Sequence, residues 1–207
     1  MKKLLIFLCI FFSISSISRA QDITREEAIA WGNDKGNEII NLLSKGAENK
    51  FEKLDNLIIN DIDIPYIAKF VTGKYWNLFT EEQKTRYLEM FQRYLLGIYK
   101  TFPLEFDPSE IKFHIEDIKS GTNHTDIVVP LEINGESLLT EKEGGPLYVS
   151  FRIHRKDNCI KLIDLKVAES SLLMAYRNKI YELIQKDEEE IDWFLEDFET
   201  WIPNKQE

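Results

Sequence analysis

Leu147-Tyr148-Val149-Ser150-Phe151-Arg152-Ile153-His154-Arg155-Lys156-Asp157-Asn158-Cys159-Ile160-Lys161-Leu162-Ile163-Asp164-Leu165-Lys166-Val167 is the stretch on which the fold turns. Leu147, Val149, Phe151 and Ile153 occupy alternate positions, the period of a strand that buries one face. Asp157-Asn158 supplies residue types suited to a tight hairpin turn, and a further strand runs from Ile160 to Val167. Inside it the apolar phase moves from Ile160 and Leu162 to Ile163, Leu165 and Val167, which implies a bulge or burial on both faces.

Toward the amino terminus the same period appears twice more. Ile127, Val129, Leu131 and Ile133 predict one strand; Ile111, Phe113 and Ile115, alternating with Lys112, His114 and Glu116, predict another that begins near Glu110. Four strands in sequence, with no helical pattern between them, pair most simply as an antiparallel meander. The segment from Asn134 to Gly145 is expected to be a mobile loop.

On either side of the strands the period is helical. Thr24 with Glu27 forms a capping box, and Ala28, Trp31, Ile39, Leu42 and Leu43 recur at helical spacing, predicting a helix over 25–45 whose middle is weakened by Gly32 and Gly36. Phe51, Leu54, Leu57 and Ile58 mark a second helix, and Asp63 before Pro65 caps a third bearing Ile67, Phe70 and Val71. Thr80 with Gln83 opens the most regular helix, with Tyr87, Phe91, Tyr94, Leu95, Ile98, Tyr99 and Phe102 on one broad face, ended by Pro103. After the strands come Leu172, Leu173, Tyr176, Ile180, Leu183 and Ile184, then an acidic helix with Ile191, Phe194, Leu195 and Phe198. Helices, then strands, then helices describe an α+β fold, with helices covering the concave face of a four-stranded antiparallel sheet.

The first residues have a different character. Lys2 and Lys3 precede an apolar run from Leu4 to Phe12, and Ser18-Arg19-Ala20 has the small-residue spacing of a cleavage site, so residues 1–20 read as a secretory signal peptide. The run is shorter than the roughly 20 residues needed to cross a bilayer, so no permanent membrane anchor is expected. Residues 21–207 are then one domain of ordinary size. Cys159 is its lone cysteine, so no intramolecular disulfide is available even in an oxidising compartment.

The chain carries 26 Lys and Arg against 36 Asp and Glu; removal of Lys2, Lys3 and Arg19 takes the net charge from −10 to −13. Such a surface repels nucleic acid and anionic headgroups at long range. It is equally what solubility alone requires.

Residues that carry chemistry are scarce. His114, His124 and His154 lie among charges and far from any cysteine pair, so no metal site is expected; His114 and His154 share the polar phase of their strands and could face one another. There is no G-x-S-x-G elbow, Ser170 and Ser171 suit the start of a helix, and no Gly-rich loop leads into a helix to hold phosphate. No catalytic residue emerges. What remains is apolar and aromatic side chains on inward faces, which fit a filled core as well as a cavity.

The stretch from Ile64 to Trp76, continuing through Phe79-Thr80-Glu81-Glu82-Gln83-Lys84 to Tyr87, Phe91 and Tyr94-Leu95, resembles the MlaC family of periplasmic phospholipid-binding proteins, also described as toluene-tolerance auxiliary components of an ABC lipid transport system. The likeness extends to Tyr148-Val149-Ser150-Phe151-Arg152, Ile163 to Val167, Glu169-Ser170-Ser171-Leu172 and Tyr176-Arg177. It implies a sheet wrapped by helices around an apolar pocket that takes acyl chains and leaves the headgroup in water. Carried over by position, the lining comes from Ile67, Val71, Phe91, Tyr94, Leu95, Ile98, Phe113, Val129, Leu131, Val149, Phe151, Leu165 and Leu173. It further implies no enzymatic activity, no cofactor, phospholipid as cargo, and two partners: an outer-membrane lipoprotein complex and an inner-membrane ABC transporter complex. The chain departs from the pattern in its long segment 134–145, its acidic last helix and its net charge. Two other readings stay open: a small enzyme on a cone-shaped α+β scaffold, which needs an ionisable group buried in the pocket, and an interaction protein with a solid core.

Overall fold

A computed structural model describes residues 22–43, 48–98, 100, 111–133, 136–137 and 145–203. The hairpin that opens the analysis forms as its alternation demands. β6 (Tyr148–Lys156) and β7 (Cys159–Val167) pair antiparallel across Asp157-Asn158. Both turn residues have positive φ, 48° and 65°, the geometry that matches the twist of the flanking strands. Arg152 stands opposite Asp164 and Ile153 opposite Leu162, so Ile163 is the extra residue of a bulge. Ile163 and Asp164 are both buried there, which is the phase change seen in the sequence.

β3 (His124–Pro130) pairs with the other edge of β6, and β2 (Asp117–Gly121) joins β3 across Thr122-Asn123. β8 (Ser170–Ser171) adds to β7 across Ala168-Glu169, completing the order β2-β3-β6-β7-β8 with every neighbour antiparallel. The meander therefore has five strands, not the expected four. Ser171 serves twice, ending the sheet and accepting the Met174 N–H at 3.0 Å as the cap of α5 (Leu172–Lys186).

The first strand also lies later than the alternation of Ile111, Phe113 and Ile115 predicts. Only Ile111–Lys112 (β1) is strand there, paired with β4 (Glu132–Ile133), which pairs in turn with β5 (Glu136–Ser137) in a separate small sheet. The side chains of Phe113 and Ile115 pack into the core below the first helix, and the main sheet is entered where the Glu116 N–H donates to Val128 O at 2.9 Å. β2 itself buries only Ile118, too brief a pattern to read. Of segment 134–145, little beyond β5 is among the described residues.

The helical caps are local and form as predicted. Thr24 and Glu27 exchange their capping-box bonds at the start of α1 (Arg25–Leu43), and Thr80 and Gln83 do the same for α4 (Glu81–Ile98). α2 (Lys50–Asp61) runs into Asp63, whose carboxylate accepts the Tyr66 N–H at 3.2 Å and caps α3 (Ile64–Thr72). Between them Ile62 makes a parallel bridge with Leu162 on the outer side of β7, and the Asp63 N–H donates to Leu162 O at 3.0 Å. A 3₁₀ turn (Gly73–Leu78) leads to α4, and α6 (Ile191–Glu199) closes the chain. Lys45, Tyr99, Phe102 and Pro103 lie outside the described residues. No helix among those described is long and apolar enough to cross a membrane.

Two separate apolar cores result. α3, α4, α5 and α6 enclose Tyr75, Tyr87, Phe91, Phe194 and Phe198, all nearly inaccessible, and among the last four the touching rings have centroids 5.5 Å (Tyr87–Phe198) to 6.3 Å (Phe91–Phe198) apart. The other core, between α1 and one face of the sheet, is mostly aliphatic: Ile23, Ala28, Ile118, Ile127, Val129 and Ile153, with Trp31, Phe113 and Phe151 packed on it.

Candidate functional site

α1 meets the sheet and the segment that leads into it through two glycines one turn apart. A Cβ on Gly32 would lie 2.9 Å from Ile115 Cδ1, and one on Gly36 would lie 2.5 Å from the Phe113 ring. Only glycine lets the helix come so near. Beside this contact runs a narrow slot of about 50 Å³. α1 lines it with Trp31, Gly32, Gly36 and Ile39, α2 with Leu57, and the sheet with Ile127, Phe151 and Leu162; Ile62 and Phe113 complete the hydrocarbon wall. Among the described residues, Lys35 and Asp61 are the charged ones on its lining.

The register shows where the slot's floor leads. Ile127 stands opposite Phe151, which stands opposite Leu165, and Val129, Val149 and Val167 form the next rung. Residues directly opposite one another share a face. The apolar floor therefore continues past the slot to half-buried Val149 and Leu165 and to exposed Val167.

Phe113 and Phe151 line the slot; Val129 is buried in the same core, and Val149 and Leu165 lie farther along its floor. Leu131, half-buried, follows β3 directly and its N–H donates to Leu147 O at 2.8 Å. The remaining seven residues named from the resemblance sit elsewhere. Val71, Phe91, Tyr94 and Leu173 are buried in the helical core, with Ile67, Leu95 and Ile98 packed on its margin. Ten of the thirteen positions are thus divided between two cores, and Leu131, Val149 and Leu165 lie beyond both, so they are not brought around one space. Tyr94 and Ile98 also border an open groove of about 530 Å³ on the outer surface, beside Lys179, Lys186 and Trp201. That groove is larger than the slot but lies open on a charged surface, and a recess of about 300 Å³ near His124, His154 and Arg155 is polar. Hydrocarbon lining, more than volume, singles out the slot as a site for an apolar ligand.

Sequence reasoning missed Trp31, Gly32, Gly36, Ile39 and Leu57. Gly32 and Gly36 read as a weak point in a helix, yet their i, i+4 spacing puts both on one face, and that was the available signal of a close approach.

The reverse face of the sheet carries paired charge. Asp126 accepts from Arg152 at 2.7 and 2.9 Å and from Lys166 at 2.9 Å. Asp63 receives Lys156 at 2.7 Å and lies 2.9 Å from His154 Nε2. Burial pushes both carboxyls up, but hydrogen bonds from Arg152 and Lys166 to Asp126, and from Lys156 and the Tyr66 N–H to Asp63, outweigh it and hold both below the usual carboxylate range. Asp164 accepts the Ser171 hydroxyl at 2.7 Å and the Leu173 N–H at 2.9 Å, fastening α5 to the sheet. His114 lies outside the strands and does not face His154. Among the described residues no three His, Cys, Asp or Glu side chains are grouped to hold a metal. The Asp126 group joins strand to strand, the Asp63 and Asp164 groups join the sheet to helices, and none of them lines the slot.

Comparison with curated proteins finds no significant match. Among solved structures, the phospholipid-binding protein from Ralstonia solanacearum, determined in complex with a phospholipid, shares this architecture with a TM-score of 0.61 at 17% identity, over 84% of this chain and 96% of that one. At that identity the likeness establishes the fold. The family described as "MlaC protein" matches residues 36–200, from the second half of α1 to the end of α6, and the chain therefore belongs to the MlaC family.

Proposed function

We propose that this chain is a periplasmic carrier that takes phospholipid acyl tails into the space between α1 and the sheet and moves lipid between an outer-membrane lipoprotein complex and an inner-membrane ABC transporter complex, helping to maintain lipid asymmetry. The observation that carries it is the slot: hydrocarbon-walled, edged by charge, in a fold shared with a protein solved with phospholipid bound. Family membership supports the same reading, and supports a carrier that does no covalent chemistry and needs no cofactor.

The energetics favour a slot that opens. Burying a methylene is worth about 0.8 kcal/mol, so two tails of roughly 16 carbons represent on the order of 25 kcal/mol relative to water. At about 50 Å³ the slot is far below the roughly 300–1,000 Å³ of ordinary ligand sites, so tails enter only if α1 parts from the sheet. Tails that replace Phe113 and Trp31 against Ile127 and Phe151 keep those surfaces dry. In a bilayer the tails are dry already, so exchange is reversible and the partners set its direction.

The slot's size also favours a second reading, an interaction protein with a solid core. Mass spectrometry of organic extracts from the purified protein separates the two. A carrier yields phospholipid, and Val149→Trp or Leu131→Trp lowers the yield at least about tenfold, the equivalent of roughly 1.4 kcal/mol, while the domain stays folded. Extracts that repeatedly lack phospholipid, from protein also exposed to vesicles, would leave the solid-core reading.

A further inference from the structure

The edge of the slot carries both signs of charge. Lys35 Nζ lies 3.0 Å from Asp61 Oδ2 across the gap between α1 and α2, 2.9 Å from Glu38 Oε2 and 3.7 Å from Asp34 Oδ2. The side chains of Lys35 and Asp61 are 20% and 18% exposed, so this pair stands where the hydrocarbon wall meets water. One ammonium faces three carboxylates, a local net charge of −2. A tail that enters past this edge leaves its headgroup beside the pair, because the headgroup cannot follow it into hydrocarbon.

We propose that Lys35, Asp61 and Glu38 form a headgroup-reading site selective for zwitterionic phospholipids, in which Lys35 exchanges Asp61 for the lipid phosphodiester and the freed carboxylates take the headgroup ammonium. This rests on the carrier reading. The exchange conserves ion pairs: the link between Lys35 and Asp61 is replaced by one from Lys35 to phosphate and one from ammonium to carboxylate. An anionic headgroup satisfies Lys35 but leaves Asp61 and Glu38 facing more negative charge, and a diacylglycerol offers Lys35 nothing. Breaking the pair also unties α1 from α2, so the step that reads the headgroup loosens the wall the tails must pass.

The test uses full-length processed protein, stripped of lipid and incubated with vesicles of equal parts phosphatidylethanolamine, phosphatidylglycerol and diacylglycerol of identical chains, with loaded species counted by native mass spectrometry. Wild type is expected to take phosphatidylethanolamine over phosphatidylglycerol by at least about fivefold, which corresponds to about 1 kcal/mol. Lys35→Gln should abolish the preference for phosphatidylethanolamine over diacylglycerol, with circular dichroism and thermal unfolding showing that the domain stays folded. The double variant Asp61→Asn with Glu38→Gln should raise phosphatidylglycerol to parity. Loading of all three lipids without preference, in wild type and variants alike, overturns the headgroup site and leaves the carrier intact. Loading of none by wild type overturns both.

Discussion

The helical core is built largely from aromatic rings and the sheet core mostly from aliphatic side chains, and the two pack differently. In the helical core Tyr87 touches Trp76, Phe79, Phe91, Phe194 and Phe198, with rings tilted or edge-on at 5.5–6.4 Å. In the sheet core a helix with Gly32 and Gly36 lies on rows of Ile and Val, and the few rings, Trp31, Phe113 and Phe151, edge a slot. Planar rings on four surrounding helices interlock from every side, whereas a helix on a pleated face can separate along one plane. The difference teaches that one domain can join a core interlocked on every side to a core whose two layers meet along a single plane.

The largest test of that contrast is a hole in the interlocked core. Phe198→Ala should cost about 3–5 kcal/mol of stability by thermal or denaturant unfolding, and lipid uptake per folded molecule should not change. A parallel loss of uptake would mean that the helical core takes part in binding.

A smaller effect separates the cores by pH. Asp126 and Asp63 fasten the sheet core's reverse side, and their folded pKa values lie below the roughly 3.9 of an unfolded aspartate. Their contribution is therefore complete above about pH 4 and is lost as the pH falls through the lower folded values. Asp126→Asn should cost about 2 kcal/mol at pH 7 and progressively less in acid. In wild type, amide exchange in β3 and β6 should rise with acid before exchange in α4 and α6 does. Simultaneous release of both would break the comparison.

The smallest effect is the sharpest. In Gly36→Ala the added methyl meets Phe113, and an overpacking cost of about 1–3 kcal/mol opposes a gain of about 1 kcal/mol in helix propensity, for a net loss near 1 kcal/mol in lipid-free protein. By displacing Phe113 it should speed lipid uptake from vesicles. Unchanged uptake would show that the Phe113–Gly36 contact does not close the slot.

What the sequence made legible was local. Capping boxes at Thr24 and Thr80, the cap at Asp63, the two-residue hairpin and the bulge at Ile163 each rest on residues close in the chain, and each forms. The strand at Asp117–Gly121 was hidden because only Ile118 of it is buried, and β8 because two serines carry no period. The division into two cores was hidden for another reason. Periodicity reports that Phe91 and Phe113 both face inward, but which interior each faces depends on where α1 lies, and a pair of glycines decides that.

The bridge from Ile62 to Leu162 has a consequence beyond ligand binding. Below the two residues paired with β8, the outer side of β7 would present unpaired amides and carbonyls, the template on which chains of one kind polymerise. Ile62 and Asp63 occupy that rim, and at the opposite margin β2 is only five residues long and carries Asp117 and Lys119. Covering the rim with the helix-to-helix junction denies strand-on-strand growth its template there.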